Sequence, residues 1–89
     1  MNYKVLLLDP SRTSLEKETR HLEQGGLTVE GATTFAEACN LLQEDGSIHI
    51  VLTEWELPVN NYEASGKISG FPMFQEFLKI RYELFIYLF

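Results

Sequence analysis

Two carboxylates stand out because of what precedes them. Asp9 follows the run YKVLLL, and Glu54 follows IHIVLT. A strand buried on both faces reads as a near-continuous apolar run, and an acid at its end is delivered to the carboxyl edge of the sheet. Open α/β folds place their sites at that edge. Behind Glu54 come Trp55, Glu56, Leu57 and Pro58, and the proline is expected to stop the strand. An acidic pocket made by Asp9 and Glu54 on one rim is therefore the candidate site. Trp55, beside it, reads either as a rim residue packing over the following loop or as an exposed contact anchor.

Other residues that could do chemistry fall away on spacing. Gly66-Lys67 lacks the glycine five residues earlier, where Asn61 stands, and the hydroxyl directly after, where Ile68 stands, so it is no phosphate loop. Gly25-Gly26 reads as a helix stop, not a dinucleotide fingerprint. His21 and His49 have no Cys or His at ligand spacing. His49 alternates with Ile48 and Ile50, which suits a partly buried strand residue. Cys39 sits in an apolar helical stretch with no positive group to lower its pKa, so it reads as a core thiol. Glu16, Glu18 and Glu23 surround Lys17 and Arg20, the pattern of a solvated helix face.

The elements that must position the two acids are legible in order. Residues 3–8 read as a strand. Residues 11–24 read as a helix, with Thr13 and Glu16 as a capping box, Leu15 and Leu22 on one face, and the glycine pair as its stop. Residues 27–31 read as a weaker strand. Thr34 and Glu37 form a second capping box, opening a helix over 35–44 with Phe35, Ala38, Cys39, Leu41 and Leu42 inward. Residues 48–53 form the third strand, 58–70 a polar loop, and 71–81 a third helix with Phe74, Phe77 and Leu78 inward. Residues 84–89 form a fourth strand. Strands alternating with helices argue a three-layer, doubly wound parallel sheet with right-handed crossovers.

Composition bounds the function. Eighty-nine residues with 45% hydrophobic and 22% charged content make one small domain spanning 1–89, and disorder is excluded. A net charge of −6 repels a phosphate backbone, so nucleic acid is disfavoured as a partner. A single cysteine fits a reducing, cytoplasmic setting. No stretch approaches a membrane span, and Asp9 interrupts the first apolar run before a signal peptide could form. Seven of the eleven aromatic residues fall between Phe71 and Phe89. The run Leu84, Phe85, Ile86, Tyr87, Leu88, Phe89 is apolar and uncharged, and a strand this apolar expects cover on both faces and a neighbour beyond it. The chain is thus expected either to be part of a longer protein or to self-associate through that edge.

Taken in order, the chain resembles the first two-thirds to three-quarters of a receiver domain of the flavodoxin-like type. The matching features are Asp9 at the tip of the first strand, the Thr34-Phe35-Ala36-Glu37-Ala38 helix start, Glu54-Trp55-Glu56-Leu57-Pro58, and Gly70-Phe71 opening the third helix. The resemblance implies strand order 2-1-3-4. In that family an Asp carboxylate attacks a phosphoryl group while neighbouring acids hold a divalent cation, and a hydroxyl and a lysine bind the phosphoryl oxygens. This sequence departs from the pattern. Pro10 stands where the family has its second acid, and Glu54 holds the acceptor position with one methylene too many. The resemblance therefore implies a degenerate receiver that is not phosphorylated. Asp9 and Glu54 then remain as a weak Mg²⁺ site, as a mimic of the phosphorylated state, or as solvated strand-end acids.

A phosphoacceptor receiver of a two-component response regulator is the alternative. A narrower likeness is to the N-terminal receiver-like domain of the inducible ornithine, lysine and arginine decarboxylases, which carry an acid-Trp-acid triplet like Glu54-Trp55-Glu56. That resemblance implies an assembly role here, with pyridoxal phosphate chemistry in a later domain. Neither reading gives this chain a cofactor or catalysis of its own, and both imply a protein partner.

Overall fold

Two apolar runs form the centre of the sheet. In a computed structural model, which describes residues 3–89 apart from the side chain of Glu63, strand β1 (Lys4–Leu8) lies between β2 (Thr28–Ala32) and β3 (Ile48–Thr53). Strands β4 (Glu56–Pro58) and β5 (Lys67–Ser69) form a separate antiparallel hairpin, and β6 (Phe85–Leu88) joins the main sheet beyond β3. The main sheet is parallel throughout, in the order β2-β1-β3-β6. Counting only its own strands, that is the expected 2-1-3-4 order.

Among the described residues, three helices cover the sheet unequally. Helices α2 (Phe35–Glu44) and α3 (Gly70–Ile80) share one face, where Ala38, Leu42, Met73 and Phe77 close on Leu6, Leu8 and Val51 to form the main core. Helix α1 (Arg12–Gln24) covers the other face and buries Leu15, close to Gly31 of β2. Because side chains alternate along a strand, Leu7 and Leu52 point to the α1 side, and they share an open groove with Leu22 and Phe89.

The helix ends show which local signals operate. Thr34 caps α2, its Oγ1 accepting from the Glu37 N–H at 3.2 Å, as expected. For α1 the expectation was wrong by two residues. Ser11, not Thr13, is the cap, and its Oγ accepts from the Ser14 N–H at 3.3 Å. Asp9 places it there, because the Asp9 Oδ1 accepts the Ser11 N–H at 2.9 Å and turns the chain out of β1. Gly26, at φ +92°, ends α1 in the left-handed region that glycine adopts freely.

Four further expectations are corrected. The 58–70 stretch is not a plain loop: it runs from the hairpin's first strand through a 3-10 turn (Glu63–Ser65) to its second. Pro58 does not end the third strand: β3 stops at Thr53, and Pro58 closes β4, paired with Lys67 in the hairpin. On α3, Met73 is buried and Leu78 is exposed, since the inward stripe runs through 70, 73 and 77. His49 is exposed, and its Nδ1 lies 3.2 Å from the Arg81 guanidinium.

Candidate functional site

The parallel register sets the site. Leu8 pairs with Thr53, so the residues that follow them, Asp9 and Glu54, emerge side by side at the carboxyl rim. Asp9 is only 2% exposed, and its N–H extends the β1–β2 ladder to the Ala32 carbonyl at 3.2 Å. Burial pushes the Glu54 carboxyl above its ordinary value, and the neighbouring Asp9 charge pushes it further.

A third acid joins them that sequence reasoning assigned to the solvated face of α1. Glu18 lies three residues from buried Leu15 and four from half-buried Leu22, so it shares their inward stripe. Its Oε2 is buried with no hydrogen-bond partner. Burial first, then the negative charges of Asp9 and Glu54, raise its pKa. The 15-18-22 spacing could have revealed it, but the flanking Lys17 and Arg20 masked the signal. Among the described residues, no three Asp, Glu, His or Cys side chains are arranged to hold a metal ion. With Pro10 following Asp9, the rim does not fit the divalent cation of the receiver pattern.

The hairpin brings a second unexpected group. Lys67 lines a cleft of about 330 Å³ together with Pro10, Glu54 and Trp55, and its Nζ lies 3.5 Å from Glu56 Oε1. The arm is anchored to α2, where the Ala36 N–H donates to the Val59 carbonyl at 2.8 Å. That carbonyl occupies one of the free donors of the helix N-terminus.

Trp55 packs against α3. Its ring packs edge-on against Phe74, with centroids 6.1 Å apart at 88°, yet it remains 53% exposed. Gly70 makes room for it: a Cβ there would stand 2.7 Å from the ring's Cζ2, and Gly70 has φ +61°. Cys39 is half-buried and its thiol is pushed up by burial and by Glu76, as a core thiol should be.

No protein-family model matches the sequence, and no curated protein matches it. Solved structures do. A response regulator receiver domain protein from Clostridium thermocellum superposes with a TM-score of 0.81 at 25% identity, covering 97% of this chain. The chain adopts the receiver fold. The non-phosphorylated HemR receiver domain from Leptospira biflexa agrees in fold, with a TM-score of 0.76 at 24% identity over 97% of this chain. This receiver-like chain spans 63% and 62% of those two chains. Among its described residues, no helix is long and apolar enough to cross a membrane.

Proposed function

We propose that this chain is a degenerate receiver: a regulatory module that does not accept a phosphoryl group and acts through contacts with protein in the cytoplasm. One observation carries the reading. At the acceptor position stands Glu54, a longer carboxyl that burial and Asp9 shift toward its protonated, non-nucleophilic form. The third carboxyl, Glu18, adds negative charge where a phosphoryl group would have to sit. Phosphoryl transfer depends on positioning and on neutralising charge; the longer Glu54 alters the first, and three carboxyls work against the second. Trp55 and Lys67, at the same rim, are the residues we assign to partner contact. A net charge of −6 directs that contact toward protein and away from nucleic acid.

The competing reading, a phosphoacceptor receiver of a response regulator, is favoured by the solved structure at 25% identity. Incubation with acetyl phosphate and Mg²⁺, read by intact mass, separates the two. We expect no adduct on the chain, and none on Glu54→Asp, because Pro10 still occupies the place of the second acid. A stable phosphoryl adduct at Glu54 would overturn the reading.

A further inference from the structure

The hairpin arm has two sides, and they differ in chemistry. Pro10, Pro58 and Lys67 border both the cleft that holds Glu54 and Trp55 and a second cleft of about 380 Å³. The second cleft is walled by Thr33 and Thr34, which follow β2, and by Asn60, Asn61, Tyr62 and Gly66 of the arm. It therefore lies at the carboxyl ends of β1 and β2, while β6 stands at the opposite edge of the sheet, beyond β3. Its volume falls within the range of small-molecule sites, about 300–1,000 Å³.

The walls are held by the fold itself. Leu57 is fully buried in the main core and fixes the base of the arm. Above it, the Val59 carbonyl accepts the Ala36 N–H at 2.8 Å, and the Val59 N–H donates to the Gly66 carbonyl at 3.0 Å. The tip is closed by its own bonds. The Tyr62 N–H donates to Asn60 Oδ1 at 2.8 Å, and the Ser65 N–H to the Tyr62 carbonyl at 3.1 Å. These bonds fix the backbone that carries Tyr62, whose side chain stays open to a ligand at 77% exposure. A site with preformed walls spares its ligand the entropy of ordering them.

The groups around the cleft suit an anion with a flat apolar part. Lys67 is the one charged group among the described side chains that line it. Its ammonium pairs with Glu56 at 3.5 Å, and both side chains are exposed, so the pair is weak and readily exchanged. An anion reaching Lys67 from the Trp55 side would meet Glu54 and Glu56. From the second cleft it meets the Thr33 hydroxyl and the Asn61 amide, both of which can donate to it. Pro10, Pro58 and the Tyr62 ring supply flat apolar faces. A net charge of −6 works against a multiply charged ligand.

We propose that the cleft between the arm and the start of α2 binds a small aromatic monocarboxylate, its carboxylate on Lys67 and its ring against Tyr62 and the two prolines. The proposal goes beyond the regulatory reading above and holds whether or not the chain accepts a phosphoryl group.

Benzoate titrated into the isotope-labelled chain, followed by backbone amide shifts, tests it. Saturable shifts should centre on Thr33, Thr34, Asn61, Tyr62, Gly66 and Lys67, with a dissociation constant on the order of 1 mM. Benzamide, which keeps the ring without the charge, should bind at least about fivefold more weakly, and so should inorganic phosphate, which lacks the ring. Lys67→Gln should weaken benzoate about fivefold or more and Tyr62→Ala about threefold, while Lys79→Gln on α3 leaves the affinity unchanged. Both cleft substitutions replace exposed side chains, so the spectrum should stay that of the folded chain. No saturation by about tenfold the expected concentration, phosphate or benzamide binding as tightly as benzoate, shifts centred on Leu22 and Leu52, or an unchanged affinity in Lys67→Gln would each overturn the proposal. None of these outcomes bears on phosphorylation, which the adduct mass decides separately.

Discussion

Gly70→Ala probes how Trp55 is held at the rim. The first cost is backbone: at φ +61° an L residue is less stable than glycine by about 1–2 kcal/mol. The second is steric, since the new methyl would stand 2.7 Å from Cζ2 of the indole. The ring is half-exposed and free to swing outward, so the main loss is its edge-on contact with Phe74, about 0.5–1.5 kcal/mol. Restricting the unfolded chain returns about 0.5 kcal/mol. The net cost is about 2 kcal/mol, which in a domain this small lowers the melting temperature by roughly 8–16 °C. In a Trp55→Ala background the steric part vanishes and the same substitution should cost about 1 kcal/mol. Thermal and urea unfolding of the four proteins gives the coupling directly. Equal costs in both backgrounds would refute the contact, and a neutral Gly70→Ala would refute the backbone argument as well.

Three other outcomes are expected. Glu18 has a folded-state pKa above its unfolded value, so its contribution to stability is fully present below the ordinary glutamate range and is lost as pH rises through the raised value. Glu18→Gln should flatten that decline and add on the order of 1 kcal/mol at neutral pH, measured by urea midpoints across pH 4–8. Thr34→Ala should cost about 1 kcal/mol in urea unfolding through loss of the α2 cap, and Ser11→Ala a comparable or smaller amount, while Thr13→Ala should be near neutral. Phe77→Ala, at the centre of the larger core, should cost about 3–5 kcal/mol and lose the cooperative thermal transition.

The frame was legible because each element announced itself by a different physical signal. Strand β3 and helix α2 match the expected residues end to end, since an unbroken apolar run and a hydroxyl cap leave little freedom. The topology followed from alternation. What escaped depended on long-range contacts. The hairpin was invisible because each strand is only three residues long and Pro58 reads as a terminator. Ser11 won the α1 cap because Asp9 turns the chain toward it, a tertiary effect on a local signal. Glu18 was hidden by charged neighbours in sequence that diverge from it around the helix. Asp9 and Glu54 were placed on one rim correctly, because parallel pairing in register leaves little other choice.

The unequal cover of the two sheet faces links the rim to the groove beneath α1. On the α2/α3 side, Leu6, Leu8, Val51 and Phe77 are sealed from water. On the α1 side the single helix reaches only part of the sheet, and Glu18 stands at the boundary. Its carboxyl touches the acidic rim, while its lower part lines the groove of about 330 Å³ shared with Leu7, Leu52 and Phe89. Anything that covers that groove takes further water from Glu18 and raises the cost of its charge. Filling of the groove and protonation of Glu18 should therefore favour one another. A small apolar dye that enters the groove is expected to bind more tightly as pH falls toward the ordinary glutamate range, and Glu18→Gln should remove that dependence. An unchanged pH dependence in Glu18→Gln would show that groove and rim are not coupled through this side chain.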